Sequence, residues 1–141
     1  YNVIEPGKRP RATLTPALAI KDKRPFLSFA VQGGDTQDQN LLQFFLNMVE
    51  FEMNVQEAAE AANVNSYQMY SSFGTHSKEA GRIVVRDDTP PWVIKDLRSK
   101  GYNVVTRRLT SGPINAIWFD HKNGTMWGGS SNFGEDYGIG W

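Results

Sequence analysis

The residues best placed to do chemistry are Gly33 and Gly34, which follow the apolar run FLSFAV at 26–31 and precede a long helix-like stretch. Glycines at such a junction leave backbone N–H groups unshielded by Cβ. A helix start beside them adds further unpaired donors, so the spot can hold an anion or the oxyanion of an acyl-transfer intermediate. The plainer meaning of an isolated Gly-Gly pair is a tight strand-to-helix connection, and on local sequence that meaning is the commoner one. Upstream, Thr13 and Thr15 carry hydroxyls that can face a ligand or simply serve as β-formers.

Other chemistries lack their residues. The chain has no cysteine, and His76 and His121 have no companions at metal-ligand spacing. No metal and no cofactor are expected. Gly128-Gly129-Ser130-Ser131-Asn132 lacks the closing glycine of a GxSxG elbow, and neither GxGxxG nor a P-loop occurs. Asn123-Gly124-Thr125 is a formal glycosylation triplet at a tight turn.

The elements that must position Gly33 and Gly34 are a strand over 26–31 and a helix from Thr36 to about Phe51. Thr36 and Gln39 have capping-box spacing. The helix is apolar almost all round, with Gln43, Asn47 and Glu50 as its polar stripe, which predicts that it is sandwiched inside the fold. A strand over 13–20 and a polar turn over 21–24 make an antiparallel hairpin with 26–31. Pro16 implies an edge, a bulge or an irregular start there.

Downstream, Asn54 and Glu57 repeat the capping pattern ahead of a small-residue helix. Residues 63–77 have no period and read as a long loop with aromatic anchors Tyr67, Tyr70 and Phe73. A strand at 82–86, a helix from 89–92 to about Lys100 ended by Gly101, and a strand at 102–107 follow. The apolar side of that helix is Val93, Ile94 and Leu97. Strands at 114–120 and 125–129 flank Asn123-Gly124, a type I′ signal. The glycine-rich tail ends in aromatic residues and reads as an ordered closing segment.

These elements define an α+β fold. The length of 141 residues suits one domain, and no internal repeat is evident. Fifteen basic and fifteen acidic side chains cancel, which argues against a general affinity for nucleic acid or anionic membrane. No apolar run reaches membrane-spanning length, and the first ten residues lack a signal-peptide layout. The compartment is left open. A start at Tyr1 without an initiator methionine predicts a processed or excised piece, with further residues upstream.

Taken together, PGKRP at 6–10, TLTPAL at 13–18, FLSFAVQGGD at 26–35, NVQEAAEA at 54–61, and INAIWFD and GTMWGGSS in the last hairpin resemble the C-terminal part of the gamma-glutamyltransferase family. The resemblance covers nearly the whole chain in order. It implies a four-layer αββα sandwich of the N-terminal-nucleophile hydrolase type, of which this chain would supply the C-terminal portion. In that family a precursor cleaves itself and the new N-terminal threonine attacks an amide carbonyl. The acyl group then passes to water or to an acceptor amine.

The resemblance assigns Gly33 and Gly34 to the oxyanion hole, and Thr13 to the second of two serines that contact the γ-glutamyl carboxylate. Ala12 stands where the first would be. Asp35, with Gln37 and Gln39, matches the GGD-x-Q-x-Q version of a branch that includes acylase-like members, and is a candidate substrate contact. Ser131-Asn132-Phe133 replace the aspartate and arginine that usually follow the last hairpin. The nucleophile would lie upstream of Tyr1, because the mechanism needs a free α-amine on it. The implied partners are therefore the rest of the precursor, namely the large subunit and the nucleophile segment, and a γ-glutamyl or related acyl amide. The departures leave a second reading open, a non-catalytic binding or assembly domain that keeps the fold and uses the 63–77 loop.

Overall fold

A computed structural model of the chain describes residues 3–110, 112–133 and 138–140. Strands β1 (Ala17–Lys21) and β2 (Arg24–Val31) form the expected hairpin. Asp22 and Lys23 turn it with φ of 52° and 61°, the left-handed pair that a type I′ connection needs. Residues 13–16 lie outside β1, contrary to the strand expected over 13–20. Pro16 has no N–H to give to a ladder and holds its predecessor away from free choice of backbone, so pairing starts one residue after it.

A single 3-10 turn (Gly34–Thr36) then leads into α1 (Gln37–Val49). The capping box expected at Thr36 is not formed. Thr36 is already helical, with φ −91° and ψ −7°, and its hydroxyl donates to the Gly33 carbonyl at 2.9 Å. Gln39 reaches away instead. Its amide donates to the Ser66 carbonyl at 3.1 Å and accepts from the Ser66 N–H at 2.7 Å. Gln43, one turn on, does the same to Val64, at 2.8 Å in both directions, so it does not belong to a solvated stripe.

Helix α2 (Val55–Glu60) carries the expected capping box, with the Asn54 side chain accepting from the N–H groups of Gln56 and Glu57 and Glu57 returning to the Asn54 N–H. The stretch read as a loop over 63–77 opens with a short strand, β3 (Val64–Ser66), which pairs with β4 (Arg82–Arg86). Helix α3 (Pro91–Ser99) crosses from β4 to a parallel β5 (Asn103–Arg107). Ile94 and Leu97 pack on Ile83, Val85 and Val104, whereas Val93 turns outward.

The chain closes with β6 (Ile114–Asp120) and β7 (Thr125–Ser130). Asn123-Gly124 does not make a type I′ turn, since only Gly124 has positive φ and Asp120 pairs with Thr125 across a four-residue loop. The Asp120 carboxylate shapes that loop by accepting from the N–H groups of Lys122 and Asn123 and from the Asn123 amide. Of the tail over 128–141, residues 134–137 and 141 lie outside the described residues.

Two sheets result, β1-β2-β6-β7 and β3-β4-β5. On the first, Leu27, Val31, Ile114 and Ala116 point to one face and meet Leu41 and Phe44 of α1 and Val55, Ala58 and Ala59 of α2. Gly129 lets β7 approach α2, because a Cβ there would stand 2.7 Å from the Val55 carbonyl. On the alternate positions Leu18, Ile20, Ile117 and Met126 are exposed. The outer side of α1 is likewise uncovered by the described residues, at Leu42, Leu46 and Val49. Its apolar surface is thus sandwiched on one side only. Among the described residues no helix is long and apolar enough to cross a membrane.

Candidate functional site

Strand β2 delivers the chain to Gln32, whose N–H donates to the Pro113 carbonyl at 3.2 Å. Gly112 lies directly beneath, so close that a Cβ on it would fall 1.7 Å from the Gln32 carbonyl oxygen. The segment carrying Gly112 is itself fastened. The Thr110 hydroxyl donates to Asn63, the Thr110 carbonyl accepts from the buried Asn65, and Asn63 donates to the buried Asn40 of α1. The floor of the turn is therefore set by α1, β3 and the link before β6 together.

On that floor Gly33 adopts φ 154°, ψ 20° and Gly34 φ 58°, regions that side chains disfavour. The Gly33 carbonyl is taken by the N–H of Thr36 at 3.3 Å and by its hydroxyl. Among the described residues, no acceptor takes the N–H of Gly33 or Gly34. Two donors in sequence, next to the start of a helix, are what a developing oxyanion requires.

Asp35 is exposed and faces the later loop, its Oδ2 accepting from the Ser72 N–H at 2.6 Å. Desolvation pulls its carboxyl upward. Hydrogen bonds from the Ser72 hydroxyl and N–H and from Ser71, with the charge of Arg11, outweigh that and hold it below the ordinary aspartate value. Thr13 is half-buried; two residues on, the Thr15 hydroxyl donates to Gln37 Oε1 at 2.8 Å, which ties this segment to the start of α1. A cleft of about 470 Å³ beside it is lined by Arg11, Tyr70, Ser71, Thr75 and His76.

Gly33, Gly34 and Asp35 thus meet in one turn, with the segment bearing Thr13 anchored alongside. Sequence reasoning missed Gly112, Arg11, Ser71 and Ser72. The aromatic anchors of the 63–77 stretch were a usable signal, yet their targets were not. Tyr67 lies under Arg82 and Tyr70 under Lys78, each cation 4.8 Å from the ring centroid. Phe73 sits on Gly34. Ser131 is buried and its Oγ accepts from the Ile114 N–H at 2.9 Å, closing the last strand pair.

A helix layer on one face of a four-stranded antiparallel sheet, with a paired-glycine turn at the strand end, is an α+β arrangement that fits one sheet and one outer layer of the αββα sandwich implied by the resemblance. The family model described as Gamma-glutamyltranspeptidase matches residues 1–141, and the chain belongs to that family. It is 31% identical over 140 residues to the glutathione hydrolase proenzyme of Bacillus subtilis (strain 168), covering 98% of this chain and 22% of that protein. It is 29% identical over 125 residues to the Acylase ACY 1 proenzyme of Pseudomonas sp. (strain V22), covering 89% and 20%.

Among solved structures, that of LmbA2991T421A matches with a TM-score of 0.82 at 31% identity, over 89% of this chain and 23% of that one. The gamma-glutamyltranspeptidase from Pseudomonas nitroreducens complexed with L-DON matches with a TM-score of 0.80 at 22% identity, over 99% and 68%, a likeness of fold. The chain spans only 22% and 20% of the two curated relatives above.

Proposed function

We propose that this chain is the oxyanion-bearing part of a gamma-glutamyltransferase-like amidohydrolase or acyltransferase that cleaves γ-glutamyl or related acyl amides. The nucleophile is an N-terminal threonine on the preceding part of the precursor. Its hydroxyl oxygen attacks the amide carbon while its α-amine takes the hydroxyl proton. The carbonyl π electrons move to oxygen, and the N–H groups of Gly33 and Gly34 stabilise the charge that develops there. The α-ammonium returns its proton to the leaving amine as the C–N bond breaks. Water or an acceptor amine then releases the acyl ester. Thr13 and Asp35 contact the acyl donor.

The observation that carries this reading is the pair of N–H groups at Gly33 and Gly34, unclaimed among the described residues and held at special backbone angles on a multiply anchored floor. The family and its glutathione hydrolase and acylase relatives support the class of bond. The uncovered faces of α1 and of the four-stranded sheet fit a requirement for the rest of the precursor.

The test uses the complete gene product with a chromogenic γ-glutamyl anilide and a panel of acyl amides. Gly33→Val or Gly34→Val should lower kcat by about a hundredfold or more, with the protein still folded by circular dichroism. Wild-type turnover undiminished in both variants removes the oxyanion assignment. A protein inactive on every amide, yet binding other chains of the precursor, indicates the assembly role instead.

A further inference from the structure

Residues 67–79 form a closed excursion between β3 and β4. The Tyr67 N–H donates to the Arg82 carbonyl at 3.0 Å and the Glu79 N–H to the Tyr67 carbonyl at 2.9 Å, which fixes its base. Farther out, the Ser71 N–H donates to the Ser77 carbonyl at 2.9 Å and the His76 N–H to the Phe73 carbonyl at 3.1 Å. Gly74 and His76 take left-handed φ of 58° and 56°, which folds the tip back on itself. The two cation–ring contacts at Tyr67 and Tyr70 stiffen its flanks.

This tip lies on the Gly33-Gly34-Asp35 turn through two contacts of different chemistry. The first is the charged hydrogen bond from the Ser72 N–H to Asp35 Oδ2 at 2.6 Å. The second is the Phe73 ring over Gly34, so near that a Cβ on Gly34 would stand 2.9 Å from Phe73 Cε2. The ring is 57% exposed, so burial in a core does not explain where it sits. In the Cβ direction Gly34 meets only the Phe73 ring, whereas Gly33 meets the Thr36 hydroxyl at 3.0 Å and the Gly112 nitrogen at 3.8 Å.

We propose that Phe73 and Ser72 are positioning residues for the oxyanion turn: Ser72 fastens Asp35, Phe73 closes over the Cα of Gly34, and the excursion thereby holds the Gly34 donor in place, while Thr36 and Gly112 flank Gly33. The proposal rests on the oxyanion reading above. Glycines at such angles are free to relax, and a donor that swings away after binding stabilises nothing at the moment charge develops. Loss of the clamp should therefore act on the transition state more than on the bound ground state.

Two readouts in the complete gene product separate the possibilities. In Phe73→Ala, kcat falls by about tenfold while KM moves by less than about twofold. Phe73→Tyr keeps the ring and keeps kcat near wild type. In parallel, the amide order parameter of Gly34 from nitrogen-15 relaxation falls in Phe73→Ala and is restored in Phe73→Tyr. That measurement needs no turnover. An order parameter that responds in a protein inactive on every amide sinks the enzymatic reading and leaves the clamp standing. An unchanged order parameter overturns the clamp, whether kcat holds or KM rises with its loss, the latter marking Phe73 as a substrate contact instead.

Discussion

At the scale of single residues, Gly112 decides more than its place in a link would suggest. Its Cα touches the Gln32 main chain, and the clash an added Cβ would make is with backbone, which cannot rotate aside. Gly112→Ala must push the 110–113 segment off the turn, at a cost of about 1–3 kcal/mol for overpacking. The expected result is a lower midpoint in urea together with lost turnover, whereas Gly138→Ala, with nothing within 4 Å, should leave the midpoint unchanged. The glycines at 33 and 34 were legible from the sequence because they are adjacent and follow an apolar run. Gly112 was not, because closeness between Gln32 and Gly112 is a property of how β2 and β6 align. The Thr36 spacing misled for a related reason. Gly34 starts a 3-10 turn that makes Thr36 helical before its side chain can cap, and Gln39 finds better partners on β3.

At the scale of elements, three glutamines do a job usually given to a strand. Gln39 and Gln43, one helical turn apart, each give and accept one bond with the backbone of Ser66 and Val64, two residues apart on the edge of the smaller sheet. Gln56 of α2 does the same for Ser130 of β7, at 2.7 and 3.1 Å. Helix pitch and strand rise match closely enough for i and i+4 to meet j and j−2. The side-chain amides thus complete edges whose unpaired groups would otherwise invite another chain.

The Gln39–Ser66 bonds are part-buried and the Gln43–Val64 bonds exposed, so Gln39→Leu leaves the Ser66 N–H and carbonyl without partners where water reaches them less readily. A loss of about 1–3 kcal/mol is expected. At the exposed Gln43 bonds water replaces the side chain, and Gln43→Leu should cost clearly less. Denaturant titrations of the two variants check the order, and equal losses would refute it. Strands β4, β5, β6 and β7 and helices α2 and α3 were readable from local pattern, since β-branched runs, a paired cap and Pro91 with Gly101 all agree with the final structure. Strand β3 was not readable: three residues of Val-Asn-Ser have no period, and their pairing is decided by β4.

At the scale of the whole molecule, two hydrophobic clusters lie under two sheets, yet the joints between them are polar and numerous. Asn40, Asn63, Asn65 and Thr110 link α1 to β3 and to the segment before β6, and the α1 glutamines add four more bonds. We propose that the clusters behave as one domain. Thermal unfolding should then show a single transition, with tryptophan fluorescence, which reports Trp92 on α3 as well as Trp118 and Trp127 on β6 and β7, coincident with far-ultraviolet circular dichroism, which reports the helices. Two separated transitions would mean that the β3-β4-β5 unit melts alone.

The pairing of β2 with β6 also fixes an order of events during synthesis. Leu27 must wait for Trp118, so most of the chain emerges from the ribosome before the larger sheet can gain its third strand. Until then β1 and β2 stand as a two-stranded ribbon, which is marginal in water, and the side of β2 destined for β6 lies open. The nearer partners, β4 and β5 across α3, are complete at Arg107, shortly before β6 begins at Ile114. All strands of the smaller sheet are thus synthesised before the third strand of the larger one. The turn at Gly33 and Gly34 takes its final shape only when the last hairpin has arrived.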